Sequence, residues 1–288
     1  MGWWMSLVLP KGGTIAGAAA LIALGAGAIL FAFTDRSGAS TQSSLTVNVP
    51  PPVTDRIYGA KEARGRPIIV IDAGHGGRDP GATSVSGEVH EKDLTLALAR
   101  ALRDDLVSRG RVRVAMTRED DRFLTLDDRA AVARRLDAAM FLSLHMDSAP
   151  NPLARGATVY SLSDVASDAE AARLAASENG AEDREASGGS VDAMLSDLAM
   201  RTEMSASADL AERLVKKSAG RFELRPNPHR FASFHVLRRA DAPGVLFEAG
   251  YISNADDEAL LRSEEQRQKI ALALAQAIET DVAARARR

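Results

Sequence analysis

The sequence predicts an α/β fold: a single domain whose mixed, mostly parallel, twisted sheet is flanked by helices on both faces, preceded by an N-terminal transmembrane helix. Three observations support this fold class. Residues 68–71 are four consecutive branched apolar residues, as expected of a strand buried on both faces. Runs of this kind alternate with segments of helical periodicity along the chain. Residues 14–33 contain no charged side chain.

The composition limits the chemistry that the chain can perform. Its 288 residues include 36 basic and 39 acidic side chains, and the net charge of −3 leaves no basic surplus to attract nucleic acid. We therefore expect no nucleic-acid partner. The sequence has no cysteine, which excludes disulfides and thiolate-bound metals, so any metal would be held by His, Asp or Glu.

The first element is predicted to be a membrane anchor. Residues 14–33 form an uncharged stretch of 20 residues, and a helix of that length spans a bilayer core of about 30 Å. Lys11 and the amino terminus precede it and favour a cytoplasmic position for residues 1–13. A cleaved signal peptide is the alternative, although its apolar region is usually about 7–15 residues long. We expect an uncleaved anchor.

The chain after the anchor divides into a tether and a domain. Residues 34–64 are rich in Ser, Thr and Pro and lack helical periodicity, which predicts a flexible tether. Residues 65–288 fit one domain. Within it, strands are expected at 68–71, 112–116, 139–144, 156–162, 234–237 and 244–247. Helices are expected at 92–108, 126–136, 256–261 and 264–283, and residues 164–220 are polar and helix-prone.

Four ionisable residues are expected at one edge of the sheet. His75, His145 and Glu248 each follow an apolar strand, and the C-terminal ends of parallel strands lie at the same edge. Glu91 lies in the first turn of the helix that returns from that edge. Each residue also has a plainer interpretation as a turn or core histidine, a capping carboxylate or a salt-bridged carboxylate. The coincidence of all four favours a functional site.

This set of residue types points to metal-assisted hydrolysis. Two histidines and one carboxylate form a common ligand set of catalytic zinc, which keeps one coordination position open. A second carboxylate that does not bind the metal is suited to act as general base, and the expected reaction is hydrolysis of an amide or ester. The sequence contains no HExxH helix motif, dinucleotide fingerprint, P-loop or Gly-x-Ser-x-Gly elbow.

Four segments carry a resemblance to a known family: IDAGHGGRDPGA, HEKDLTLALARAL, FLSLHMDSA and GVLFEAGYISN. Together they resemble the zinc-dependent N-acetylmuramoyl-L-alanine amidases, cell-wall hydrolases of the cell-division type, over residues 67–285. The resemblance implies that His75, Glu91 and His145 bind one Zn²⁺ per chain and that Glu248 is the catalytic carboxylate. The implied substrate is peptidoglycan, cut between N-acetylmuramic acid and L-alanine for wall remodelling and daughter-cell separation.

The resemblance also sets expectations for location and for alternatives. It implies a protein anchored through residues 14–33 on the periplasmic face of the bacterial inner membrane, or free in the periplasm if that segment is cleaved. A zinc peptidase that acts on stem peptides would use the same machinery on a different bond. An inactive wall-binding protein is the other alternative, although it would not need all four residues.

Residues 164–205 resemble, more loosely, a regulatory insertion. In the division-regulated members of the family, a helix inserted here blocks the zinc cleft until an activator protein displaces it. The segment is acidic, and Glu178, Glu182 and Glu185 are the candidates for a carboxylate that occupies the fourth zinc position. Gly188 and Gly189 would provide a hinge. The alternative is an ordinary solvated crossover helix.

Overall fold

A computed structural model describes residues 55–59, 61–180 and 191–287, with only the backbone described at residues 62 and 191–199. The predicted anchor lies outside the described residues, as do most of the tether, Glu182, Glu185 and the two hinge glycines. Within the described ranges, none of the helices has both the length and the apolar character that a bilayer span requires.

Seven strands form one sheet in the order β1-β3-β2-β4-β7-β5-β6. The strands are β1 (Ile57–Tyr58), β2 (Ile68–Ala73), β3 (Arg113–Met116), β4 (Met140–Asp147), β5 (Ala157–Leu162), β6 (Leu224–Ala232) and β7 (Gly244–Tyr251). The helices are α1 (Glu91–Arg109), α2 (Leu126–Arg135), α3 (Ala169–Asn179), α4 (Val191–Ser218), α5 (His235–Arg238), α6 (Ala255–Arg262) and α7 (Glu264–Arg285). A short 3₁₀ helix, Lys61–Ala63, precedes β2.

The prediction of an α/β fold with a mixed sheet is confirmed. Strands β3, β2, β4 and β7 are parallel neighbours, whereas β1 is antiparallel to β3 and β5 is antiparallel to β7. Alternate residues of β2 point to opposite sides of the sheet, as the pleat requires. Ile69 and Ile71 pack with α1, α4 and α7, while Ile68 and Val70 pack with α2, α3 and α5. Helices therefore cover both faces.

The predicted strand at 234–237 is wrong. Residues 235–238 form the short helix α5, and the strand of this region is β6, which begins at Leu224. A short apolar run cannot be assigned to helix or strand by periodicity alone, since Val236 and Leu237 are buried in either case. Strand β6 contains Pro226 and Pro228, which an edge strand tolerates and which conceal it in the sequence.

Candidate active site

The loop after β2 carries His75 in a left-handed backbone conformation, with φ at 59°. Such a conformation is costly for a residue with a side chain and persists only where the surroundings impose it. The preceding residue, Gly74, has no room for a side chain, because a Cβ there would lie 2.5 Å from the ring of His145. The two imidazoles consequently approach edge to face, with 4.8 Å between ring centroids.

Two buried arginines hold the backbone of this loop. Arg118 donates hydrogen bonds to the carbonyls of Ala73 and Gly74, each at 2.9 Å. Arg129 donates to the carbonyl of Ala73 at 2.8 Å and to that of His75 at 2.7 Å. Because a guanidinium presents its donors in a rigid fork, the pair fixes three successive carbonyls and with them the position of the His75 ring.

Asp72 supplies the charge that pairs with one of these arginines. Its carboxylate accepts hydrogen bonds from Arg129 at 2.9 Å, Thr117 at 2.6 Å and Ser143 at 2.7 Å. Burial alone would raise the pKa of Asp72, but Arg129 and the two hydroxyls outweigh it and hold that pKa below its usual value. The ion pair is therefore fully formed and buried beneath the site.

Glu91 bridges the two histidines. Its Oε1 lies 3.1 Å from His145 Nδ1 and its Oε2 lies 3.1 Å from His75 Nε2. The same oxygens accept from the backbone amides of Met146 and Ala82, each at 2.9 Å. Burial opposes ionisation of Glu91, but the two imidazoles lower its pKa below the usual value. Glu91 is held as a carboxylate in a fixed orientation.

Asp79 orients the first histidine from its other side. Its Oδ2 lies 2.9 Å from His75 Nδ1, which leaves Nε2 to face Glu91. Burial would lower the pKa of His75, but the carboxylates of Glu91 and Asp79 raise it to about 10. This arrangement of a carboxylate behind an imidazole is typical of metal-binding histidines.

Glu178 is the fourth side chain of the cluster, and it comes from α3. Its Oε2 lies 3.2 Å from His145 Nδ1 and 3.7 Å from His75 Nε2. One donor atom each from His75, His145 and Glu178 lie within 4.8 Å of one another, a group that could hold a metal ion. Of the three glutamates predicted in the insertion, this one lies at the predicted metal ligands.

The donor atoms fit a metal ion. Nitrogen and oxygen ligands of tetrahedral zinc lie about 2.0–2.1 Å from the metal, which places neighbouring ligand atoms about 3.3 Å apart. The carboxylate-to-imidazole contacts described above, 3.1 to 3.7 Å, bracket this value, within a donor group that spans up to 4.8 Å. Although His75 Nε2 is buried and faces two carboxylates, it has no hydrogen-bond partner among the described residues. A cation between these atoms would satisfy all of them.

Glu248 lies beside the cluster on β7. Strand register places it opposite His145 on β4, and its side chain is buried. Among the described residues, its Oε2 finds no hydrogen-bond partner. Burial, together with the negative charges of Asp147 and Glu91, raises the pKa of Glu248 well above the usual value. A buried carboxylate with raised proton affinity is suited to accept a proton during a reaction.

A cavity of about 810 Å³ joins these groups. The predicted residues His75, Glu91, His145 and Glu248 all line it. One wall is formed by α3, which contributes Glu170, Arg173, Leu174, Ser177 and Glu178. The structure therefore brings together the four residues predicted at the sheet edge, and it places α3 over them.

Sequence reasoning missed three supporting residues. Asp79 follows His75 by four residues in the same motif, and its spacing was a usable signal. Arg118 and Arg129 gave no such signal, since the loop carbonyls that they hold lie more than 40 residues away in the chain.

The family model described as N-acetylmuramoyl-L-alanine amidase matches residues 69–280. The chain is 35% identical to N-acetylmuramoyl-L-alanine amidase AmiA of Escherichia coli strain K12, over 76% of this chain and 77% of that relative. It is 36% identical to N-acetylmuramoyl-L-alanine amidase AmiC of Neisseria meningitidis serogroup B, over 74% of this chain but only 52% of that relative.

A solved structure shares the fold. The catalytic domain of CwlV, an N-acetylmuramoyl-L-alanine amidase from Bacillus (Paenibacillus) polymyxa var. colistinus, superposes with a TM-score of 0.52 at 30% identity. The match covers 74% of this chain and 96% of that domain.

Proposed function

Because this chain belongs to the N-acetylmuramoyl-L-alanine amidase family and is an enzyme of that activity, we propose that it cuts peptidoglycan with one bound Zn²⁺ and is autoinhibited by α3. The observation that carries the proposal is the convergence of His75, Glu91 and His145 beside a buried carboxylate, Glu248, in one cavity. The bond cut is the amide between N-acetylmuramic acid and L-alanine.

In this proposal the three predicted ligands hold the ion and Glu248 moves the proton. The zinc ion, when bound, supplies Lewis acidity for hydrolysis of the amide. Glu248 takes a proton from the attacking water and delivers it to the nitrogen of the leaving L-alanine, which its raised proton affinity favours. Asp79 keeps the ring of His75 in the orientation that points Nε2 into the cluster.

Autoinhibition is proposed because Glu178 occupies the position that water needs. Its carboxylate lies within 3.7 Å of both histidine nitrogens that face the cluster. The same face of α3 packs Ala171 and Ala175 against the core, and Asn179 pins the end of the helix to Ser233 and His235. Hydrolysis would then require a partner protein to pull α3 away, as the sequence resemblance implies.

Substitution of Glu178 tests the autoinhibition. The variant Glu178→Ala should raise hydrolysis of purified wall in the absence of any partner, because the fourth coordination position becomes free. Glu170→Ala in the same helix serves as a comparison that loosens α3 but leaves Glu178 in place. If Glu178 were instead a permanent ligand, its loss would abolish both metal binding and activity.

A wall digest tests the activity itself and separates it from the peptidase alternative. The zinc-loaded Glu178→Ala protein, which should need no partner, is supplied with purified peptidoglycan and should release stem peptides with new L-alanine amino termini. A peptidase would expose other amino termini, and an inactive wall-binding protein would expose none. Glu248→Gln provides the matched control, since it preserves the size of the side chain but removes the base.

The location and the role in division are also proposed. We infer an anchor at residues 14–33, with the enzyme on the periplasmic face of the inner membrane and active in daughter-cell separation. The uncharged stretch of 20 residues supports the anchor. Fractionation of cells should recover the intact amino terminus with the membranes. A periplasmic form that begins near Ser37 would instead indicate a cleaved signal peptide.

A further inference from the structure

A second charged cluster lies at the other end of α3, around Glu170, which itself lines the cavity. Glu170 accepts hydrogen bonds from Arg225 at 2.8 and 3.2 Å and from Arg230 at 2.8 Å. The hydroxyl of Tyr251 donates to the same carboxylate at 3.1 Å. Two guanidinium groups and a phenol thus surround one carboxylate, which is more than a surface ion pair needs.

The cluster is a buried network of hydrogen bonds rather than a chance surface contact. Both arginines extend from the edge strand β6, and their side chains are 13% and 15% exposed. Arg225 also donates to the Tyr251 hydroxyl, and Tyr251 is fully buried. The Nε of Arg230 is buried and has no partner among the described residues, so Glu170 does not use every donor that the arginines offer. The donors belong to the sheet, whereas the carboxylate belongs to α3.

The distance between the two ends of α3 matches a peptide. Glu170 and Glu178 are separated by eight residues, or about 12 Å along a helix. An extended peptide advances about 3.3–3.6 Å per residue, so about three to four residues span this distance. A chain whose scissile amide lies at the histidine cluster would reach the arginines with a group on one of its first few residues.

We propose that Arg225, Arg230 and the Tyr251 hydroxyl form a subsite for a carboxylate of the stem peptide, and that Glu170 occupies this subsite while α3 covers the cavity. This inference rests on the proposed function, because it needs the stem peptide as substrate. Glu170 and Glu178 would then block two parts of the site at once, the metal position and the position of the peptide anion.

Charge balance favours an anionic occupant. The cavity itself is mainly acidic, with Glu91, Glu178, Glu248 and Asp147 on its walls, and Arg129, which also lines it, is already paired with Asp72. Arg173 also lines it but lies on α3 and would leave with that helix. Once α3 is displaced, Glu170 leaves the two guanidinium groups, and an anionic group of the substrate can accept the same charge-assisted hydrogen bonds. Burial would raise the pKa of Glu170, but the hydrogen bonds from Arg225, Arg230 and Tyr251 outweigh it and lower that pKa to about 2.

The test uses two N-acetylmuramoyl peptides of the sequence L-alanyl-glutamyl-glutamyl-alanine, one with free carboxylates and one with every carboxylate amidated. The ratio of kcat/KM for the two probes is measured with the zinc-loaded full chain that carries Glu178→Ala, so that hydrolysis needs no partner, and each further substitution is added to this background. Both probes are tested on the same variant, so the extent to which α3 is displaced affects both values of kcat/KM and cancels from their ratio. Glu170→Gln should retain or increase the preference for the free carboxylates, since the competing side chain is neutral.

The double variant Arg225→Gln/Arg230→Gln should lose this preference by about 10- to 100-fold, as expected for hydrogen bonds to a charged group. The rate of the double variant on the amidated probe shows whether its site is still folded. If the double variant cleaves neither probe, the single variant Arg230→Gln replaces it in the test. Arg155→Gln is the matched control, because Arg155 also pairs with two carboxylates but on the exposed surface. If the two arginines only hold α3 in place and bind no substrate, the ratio of kcat/KM for the two probes stays unchanged in the double variant. That result would overturn the proposal.

Failure of the proposed function gives a different result. If no variant cleaves either probe even with Glu178→Ala present, the amidase proposal fails, and the subsite is judged by direct binding of the two probes to the Glu178→Ala/Glu248→Gln protein. Equal affinity for both probes there, or the absence of any preference in Glu170→Gln, would also overturn the subsite.

Discussion

Replacement of Arg129 by Met is the perturbation with the largest expected effect outside the metal cluster. The side chain is almost fully buried and donates to the Asp72 carboxylate at 2.9 Å and to the carbonyls of Leu124, Ala73 and His75 at 3.2, 2.8 and 2.7 Å. Removal of one partner of a buried ion pair costs about 3–5 kcal/mol, because the other charge stays buried without compensation. We expect the free energy of unfolding to fall by this amount.

Urea-induced unfolding of the full-length chain in detergent measures the loss, with a chelator present so that metal binding does not add to stability. The double variant Arg129→Met/Asp72→Asn should recover part of the loss, because the orphaned charge is removed while Thr117 and Ser143 still have a polar partner. Arg134→Met in the same helix is the control; its side chain is exposed, and a change within about 0.5 kcal/mol is expected.

Metal affinity separates the two roles of Arg129, which are its ion pair with Asp72 and its hydrogen bond to the carbonyl of His75. In the double variant the stability returns in part, but the carbonyl of His75 still lacks its donor, so the zinc affinity should stay below that of the parent. A loss of stability smaller than about 1 kcal/mol in Arg129→Met, or full recovery of zinc affinity in the double variant, would refute this reasoning.

Three further predictions concern the site, and the rates are measured with Glu178→Ala also present so that hydrolysis needs no partner. His145→Ala should lose both zinc and activity, measured by metal analysis and wall digestion; full zinc occupancy would show that the ligand set is wrong. Glu248→Gln should keep its zinc but lose about 10²–10⁴-fold in rate, and near-normal hydrolysis would exclude it as general base. Ionised Glu170, with its pKa lowered from 4.5 to about 2, stabilises the fold above about pH 4.5, and this contribution disappears as the pH falls towards 2. The difference in Tm between parent and Glu170→Gln should therefore narrow between about pH 5 and pH 2, and a constant difference would contradict the ion-pair assignment.

The sequence was most informative where the signal is local. The α/β class follows from runs of apolar residues and from helical spacing, and both are properties of a few neighbouring residues. The four candidate residues were found because three of them end apolar strands and the fourth begins a helix. Parallel strands bring their C-terminal ends to one edge, so that position along the strand is enough to predict proximity. Their catalytic roles stay predictions that the variants above will test.

The tertiary structure was needed where partners are distant in the chain or where a local pattern is ambiguous. The largely apolar run at 234–237 is compatible with either a helix or a strand, and its packing against the sheet decides for the helix. Glu178, Glu182 and Glu185 were equivalent candidates in the sequence; the docking of α3 places Glu178 at the histidines, and the other two lie outside the described residues. Arg225 and Arg230 meet Glu170 across 55 and 60 residues of chain, so neither spacing nor composition indicates the contact.

The sequence by itself therefore determined the fold class and the four residues that meet at one edge of the sheet, because each is encoded within one element and its end. The tertiary structure decided which side chains support, orient and cover them. Those contacts depend on how separate elements pack, and the free energy of packing is a property of the assembled core rather than of any single segment.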